Sequence, residues 1–585
     1  MRSRISAAGP NDFVKVWIKL PVLEEASILK TAGQNRAATR IGRYHAIAGR
    51  LLESHAEAQK PVLARLHQLR ARRLADNIKP HWLVNVVEVE VAAGELPLLA
   101  ERNDIEIIHM APEIHLIAPE VVEESAAAGA GTVVDNLIFI NADLAWTTGY
   151  TGRGRVICSF DTGVDGDHPA LSGSWKGNDG NYAAAWFYPL DDGDGRPHSI
   201  SDCGYSTCNT VHGTHVMGTM VGRDASTGDI YGVAPDASWI SAAVIDLAGS
   251  SIIDAFEWAA NPDGDLNTVD DVPDVINHSW GVIDIACENI FFNLIDNTEA
   301  LGIVNIFACG NEGPGEQTIR NPANRALDSL DCFSVGNADA MSTPPQVYLK
   351  SSRGPSDCNG AVKPNVTAPG VYIRSGVPGG GYASMTGSSM AAPHVSGLVA
   401  LLREKNPNAT VDEIKNAILN TTQTFDFSLP DNDFGWGIID CLAAVNALSS
   451  VNTEPNVRVH AFDHGMIAPG VTVSGTLSLQ NVGAGVSDVQ TSLRNSSPEL
   501  TVLDGNAYFG TIGEGEVLQS SDVIRVAVSG DAADGAMLAL TLEITGSGGY
   551  YETAPVYFQV EPAPERSFVT HNVGRIEFSL TNYGT

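Results

Sequence analysis

The stretch RVICSFDTGVDGDHPAL, residues 155–171, is a short apolar run that stops on an acid. Val156, Ile157 and Phe160 give its first part the composition of a buried strand. Asp161 then stands at the carboxyl end of that strand, where turn N–H groups of Thr162 and Gly163 can fix a carboxylate. Outward from this stretch the pattern repeats. SWISAAVI (238–245), DVINHSW (274–280) and GIVNIFA (302–308) read as further strands. Between and after them, SIIDAFEWAA (251–260), NIFFNLIDNTEAL (289–301) and residues 389–404 and 411–422 read as helices. Strand and helix alternating over residues 134–450 predict a doubly wound parallel α/β sheet. In such sheets functional groups collect at the carboxyl ends of the strands.

The flanks follow other rules, and 585 residues are enough for about three or four domains. DFVKVWIKL (12–20) alternates as a half-buried strand, and residues 37–75 read as a helix broken at Pro61. Residues 82–92 and 105–118 read as strands around a short helix near 96–102, so 1–125 is expected to be an α+β unit. SAAAGAGTV (125–133) reads as a linker or a cleavage site. After residue 451 helices give way to the period-2 runs VTVSGTLSLQNVG, DVIRVAVSG and AMLALTLEITG, which predict an antiparallel β-sandwich over 452–562. LSLQNVG (477–483) returns as FSLTNYG (578–584), so 563–585 is expected to open a further, truncated β-domain.

The formal net charge of −34 is unevenly spread. Residues 1–125 hold 16 basic and 16 acidic residues, whereas the remainder holds 19 and 53. Such a surface repels nucleic acid and anionic membranes, and neither is an expected partner. No apolar run reaches the roughly 20 residues of a membrane span. The first twenty residues carry early arginines without the apolar core of a secretory signal, so either the protein stays inside or its leader lies outside this sequence. None of the eight cysteines makes a CxxC pair, and Cys203 and Cys208 are either a small disulfide loop or two free thiols.

A serine hydroxyl needs a base to become a nucleophile, and the base needs an orienting carboxylate. Asp161 supplies one candidate carboxylate. VHGTHVMGTMVG (211–222) places His212 before a glycine-rich helix start. GSSMAAPHVSG (387–397) places Ser389 at a helix N-terminus, where free N–H groups favour developing negative charge. Taken together, these segments resemble the three signatures of the subtilisin-like serine peptidases in their Asp, His, Ser order. PDVINHSWG and KPNVTAPGVYIRSGVPGGGY add a likeness to the family's bacillopeptidase F-like branch.

The resemblance implies that Asp161 orients His212, that His212 takes the proton of Ser389, and that Ser389 attacks the scissile carbonyl. Its nucleophile immediately precedes the Met of Met-Ala-Ala-Pro-His, which selects Ser389 and leaves Ser388 where Thr is usual. In GNEGP (310–314) it makes Asn311 an oxyanion donor, beside the Ser389 N–H, with Gly310 and Glu312 near the substrate. Ser279, Trp280 and Gly281 would pair with the substrate backbone, and Trp280 either walls the first pocket or belongs to the core. His215, Asp165 and Asp167 match structural positions. Residues 1–125 would be a propeptide that assists folding and inhibits, with a cut near 120–135, which implies export. The partners implied are protein or peptide substrates and the chain's own propeptide, and no cofactor is required for the chemistry. Asp263, Asp265 and Asn267 in DGDLNTVDD are either a calcium site or a solvated acidic turn, and LDDGDGRP (190–197) is a weaker case. The expected calcium ligand after His168-Pro169 is replaced by Ala170. The rival readings are a binding protein on a disabled peptidase scaffold and a processing peptidase dedicated to one partner.

Overall fold

Phe13–Lys19 forms a strand (β1) because one of its faces is covered. Val16 and Ile18 are buried in a cluster with Val62, Leu66, Leu69, Val87, Val89 and Val91. The computed structural model describes residues 9–21, 32–33, 39–110, 114–124, 131–190, 195–200, 210–247, 251–282, 289–425, 427–449, 455, 457–481, 485–495, 497–513, 516–532 and 536–560. The Cys203 and Cys208 loop, the 563–585 segment, residues 125–130 of the linker and 191–194 of the second acidic run lie outside these. The chain forms two compact units, Met1–Asn456 and Val457–Thr585.

In the first unit β2 (Ala75–Pro80), β3 (Val86–Ala92) and β4 (Ile107–Met110) join β1 antiparallel in the order β2-β3-β1-β4. A single helix, Arg40–Ala71, crosses Pro61 without a break, which corrects the sequence reading. Pro61 is exposed, so its ring lies on the outer face of the helix. Leu51, His55, Gln59, Val62, Leu66 and Leu69 continue one buried stripe past it. Burial along that stripe outweighs the roughly 3 kcal/mol that an interior proline costs.

Only the later turns of this helix cover the β2-β3-β1-β4 sheet. The first turns, with Ile41, Tyr44 and Ile47 buried, grip the larger part of the unit. The Tyr44 hydroxyl donates to Ala260 O at 2.7 Å, and Arg43 donates to Asn408 O at 2.8 Å. Arg40 donates to Pro273 O at 2.7 Å and pairs with Asp274 at 3.0 Å. Burial alone would push the Asp274 carboxyl up. The guanidiniums of Arg40, Arg155 and Arg403 outweigh that and hold it below the usual range.

The larger part is the expected sheet. Beyond β5 (His115–Leu116) and β6 (Glu120–Glu124), the chain lays down β7 (Val156–Asp161), β8 (Trp186–Phe187), β9 (Ser238–Ala243) and β10 (Val275–His278). There follow β11 (Trp280–Gly281), β12 (Val304–Ala308), β13 (Phe333–Asp339), β14 (Gln346–Val347) and β15 (Val366–Pro369). The order is β14-β13-β12-β10-β7-β9-β8, with β15 beside β13, and of these only β14 runs antiparallel. Strand order reverses about β7, so Asp161 at its carboxyl end lies beside the switch point. Every residue of β7 and β12 is buried, as an inner strand with both faces covered requires. The helices His212–Val221 and Ser388–Lys405 pack on one another and on these strands. A separate sheet, β16 (Ile373–Val377) and β17 (Gly381–Thr386), takes β6 as its third strand.

The second unit consists of strands β18 (Val457–His464), β19 (Thr472–Asn481), β20 (Val486–Asn495), β21 (Leu500–Asp504), β22 (Asn506–Ile512), β23 (Val517–Val528), β24 (Met537–Thr545) and β25 (Tyr551–Gln559). They make two antiparallel sheets, β18-β19-β23-β21 and β22-β20-β24-β25. Leu477, Leu479, Ile524 and Val526 from the first share one apolar cluster with Leu493, Leu540, Leu542 and Val556 from the second.

Candidate active site

Asp161 is wholly buried, and its Oδ1 accepts a hydrogen bond from Thr162 N at 2.7 Å. The same oxygen meets His212 Nδ1 at 2.7 Å. This contact holds Nδ1 as the protonated nitrogen and turns Nε2 outward as the basic one. The following residue must be glycine here: a Cβ on Gly213 would lie 2.2 Å from Gly163 O and 3.1 Å from Asp161 Oδ1.

Ser389 lies in the first turn of Ser388–Lys405. Its hydroxyl donates to Ile117 O at 2.8 Å, and no hydrogen bond joins it to His212 Nε2 in this state. A hydroxyl has one proton to give, and here the chain's own segment receives it. That segment lies in the groove as an extended chain. Leu116 pairs with Trp280 and His115 with Gly281, while Ile117 N donates to Ser279 O at 3.3 Å. Past the serine, β6 runs antiparallel to β17, with Glu120 opposite Thr386. The carbonyl presented to Ser389 therefore lies just upstream of the 120–135 window expected for a cut.

Asn311 Nδ2 donates to Ala118 O at 2.9 Å. Its orientation is set from behind, since Oδ1 accepts from Ser388 N at 2.9 Å and from the Ser388 hydroxyl at 3.1 Å. With the oxygen so engaged, only the amide's donor end can face the groove. Ser388 Oγ also accepts from Gly310 N at 3.2 Å, so one hydroxyl ties the 310–311 turn to the helix start. Sequence reasoning took Ser388 for a mild replacement of Thr and missed this role. The backbone at Gly310 has φ +118°, and a Cβ there would lie 2.5 Å from Glu312 Oε2, so the turn requires glycine. Gly387 leaves room for Asn311 Nδ2, which would sit 3.0 Å from an added Cβ.

The remaining expected residues separate by role. The Trp280 indole is 1% exposed, packs on Phe291 and Phe307, and donates to His278 Nδ1 at 3.1 Å. Its side chain thus belongs to the core, and its backbone faces the groove. Burial pushes His278 down to about 3, so it is neutral and gives its Nε2 proton to Asn305. Glu312 is paired to Arg320 and accepts from Asn311 N at 2.9 Å. Arg320, which sequence reading did not single out, also donates to Leu116 O at 3.3 Å. His215 is buried, pushed down to about 3 by burial first and by His212 second, and bonded to Ile373 O and Ala383 O. Asp165 accepts from Gly379 N at 2.8 Å, and Asp167 faces Arg196 at the surface.

In the acidic turn, Asp263 accepts from Asp265 N at 2.8 Å and from the Thr268 hydroxyl, and Asp265 accepts from Asn267 N at 2.9 Å. Those oxygens are engaged by the loop's own donors. Burial, then Asp263 and Asp270, raise Asp271 to about 7. Among the described residues the one group of three metal-type ligands within reach of one another is His81, Asp254 and Glu257, where Glu257 also accepts from Trp82 N and Leu83 N. Cys158, Cys309, Cys332 and Cys441 are buried free thiols, and burial pushes Cys309 and Cys332 up to about 12. Cys358 is disulfide-bonded.

An acid, a histidine and a serine in this order, at these strand and helix ends, invite comparison with known proteins. Residues 152–437 match the model of the subtilase family, Peptidase S8. Subtilisin DY of Bacillus licheniformis is 30% identical over 321 residues, covering 54% of this chain and 99% of that protein. The chain belongs to the subtilase family. Serine protease AprX of Bacillus subtilis is 30% identical over 396 residues, 63% of this subtilase and 79% of AprX. Bacillopeptidase F of Bacillus subtilis is 30% identical over 469 residues, 76% of this chain. The match spans 31% of bacillopeptidase F, about a third of its length. Among the described residues no helix is long and apolar enough to cross a membrane.

Proposed function

We propose that this subtilase is a secreted serine endopeptidase, made as a proenzyme, that hydrolyses proteins through an acyl-enzyme. The observation that carries the reading is residues 114–124 stretched across Ser389, with Ile117 O on the nucleophile's hydroxyl and Ala118 O on Asn311. A substrate chain would lie along the same strands, with its scissile carbonyl oxygen passing from the Ser389 hydroxyl to Asn311 Nδ2, which in this state holds the next carbonyl, Ala118 O. Ser389 Oγ attacks the carbonyl carbon as its proton passes to His212 Nε2, and Asp161 supports the imidazolium that forms. The oxyanion is held by Asn311 Nδ2 and the Ser389 N–H. The C–N bond breaks as His212 returns the proton to the leaving amine. Water, deprotonated by His212, then frees the acid and regenerates Ser389.

In this reading residues 1–125 are the propeptide, 134–450 the catalytic domain and 452–562 an accessory β-sandwich. Groove occupancy by 114–124 inhibits until the segment is cut and leaves. The chain's own side chains and the Ser389 N–H carry these steps, and calcium in the 263–271 turn would bear on stability rather than chemistry. Labelling with a fluorophosphonate after processing, beside casein hydrolysis by wild type and Ser389→Ala, tests the reading. Labelled wild type and a silent variant are expected. An unlabelled processed protein, or undiminished caseinolysis in the variant, would overturn it.

A further inference from the structure

On the leaving-group side of the serine, the Glu120 carboxylate is met by two side chains that have no other polar partner among the described residues. Glu120 Oε2 accepts from the Tyr348 hydroxyl at 2.7 Å, and Oε1 pairs with Lys350 Nζ. The register is counted from the carbonyl that meets the nucleophile. Ile117 N meets Ser279 O, Ile117 O meets Ser389 Oγ, and Glu120 stands opposite Thr386 in β17. If attack falls on the Ile117 carbonyl, Ala118 is the first residue of the leaving chain and Glu120 is its third.

We propose that Tyr348 and Lys350 form a subsite that selects protein substrates with Glu or Asp at the third position after the cleaved bond. The subsite rests on the endopeptidase reading above and deepens it. The two groups fill different parts: the ammonium supplies charge, and the hydroxyl supplies a directed hydrogen bond. Hydrogen bonds from Lys350 and then Tyr348 hold the Glu120 carboxyl below its ordinary range, and the same contact pushes Tyr348 up to about 12. Residues 126–585 carry 53 acids against 19 bases, so a cation placed to meet an acidic side chain runs against the prevailing charge of the chain. Once the chain's own segment leaves, the pair is released for a substrate carboxylate.

The test uses the processed full chain and quenched-fluorescence peptides that differ only at the third leaving-side residue: Glu, Asp, Gln or Lys. Active sites are first counted by fluorophosphonate, so failure of the peptidase reading shows as absent label, separately from failure of the subsite. The Glu peptide is expected to exceed the Gln peptide by about three- to tenfold in kcat/KM at low salt, and the margin should shrink at high salt. Lys350→Glu should reverse the order in favour of Lys, and Tyr348→Phe should reduce the Glu preference without reversing it. Equal rates for Glu and Lys peptides in a fully labelled wild type would overturn the proposal. So would a preference that survives in Lys350→Glu.

Discussion

The N-terminal part of the chain is held at two places built on opposite principles. In the groove the hold is mainly main chain, β5 on β11, β6 on β17, and two carbonyls at Ser389 and Asn311, with the Glu120 carboxylate added to it. At the base it is side chain, since Arg40, Arg43 and Tyr44 reach specific carbonyls and Asp274. Asp274 precedes β10 and Ser279 follows it, so the two holds lie at opposite ends of one strand. Backbone pairing accepts almost any sequence, as a site that admits many chains must. Guanidinium contacts with fixed carbonyls accept one geometry. The groove is therefore suited to exchange and the base to retention.

The largest perturbation is Ser389→Ala, expected to lower kcat by about a millionfold, as in subtilisin, when peptide hydrolysis is followed. The comparison adds a second outcome. The uncut chain should accumulate with its groove segment still protected from added protease, because that hold does not need the hydroxyl. Asn311→Ala should lose about a hundred- to thousandfold in kcat, the loss established for such a donor in subtilisin. Arg43→Ala addresses the base. After processing, the N-terminal fragment should dissociate roughly ten- to a hundredfold more readily on gel filtration, because buried carbonyls lose a charged donor. An unchanged fragment affinity would show that the groove alone retains it.

Smaller effects sharpen the picture. Ser388→Ala should lower kcat by about three- to tenfold with KM nearly constant, and Ser388→Thr should restore it, since the hydroxyl only steadies Asn311. The Glu120 carboxyl is held below its ordinary 4.5, so its contribution is complete above that pH and is lost as the pH falls through the lowered value. Fragment affinity should thus weaken a few-fold in acid for wild type and by less for Glu120→Gln, in which only the Arg40–Asp274 part of the loss remains. Arg43 and Tyr44 reach carbonyls that do not titrate, whereas Asp274, which Arg40 helps to hold below its ordinary range, adds a loss of its own at still lower pH.

Much of this was legible in the sequence because it is local. Buried strands announce themselves by β-branched runs, and Asp161, His212 and Ser389 each stand beside glycines or small residues that signal tight turns. Trp280 illustrates the limit: its position was readable, yet whether its ring faces core or pocket depended on Phe291 and Phe307, which lie on other elements. The tie from Ser388 to Asn311 was not legible because the two are 77 residues apart. Lys350 and Glu120 are 230 residues apart, with no periodicity to connect them. Pro61 misled in the other direction, since a local rule was overruled by a buried stripe that only the folded unit creates.

The four buried thiols give this protein a built-in clock. Cys158 lies in β7, Cys309 just after β12, Cys332 just before β13 and Cys441 at the start of Cys441–Ala447. Sealed from water and held as neutral thiols, they are invisible to alkylating reagents while the sheet is closed. The order in which a maleimide finds them would record, cysteine by cysteine, which part of the molecule opens first.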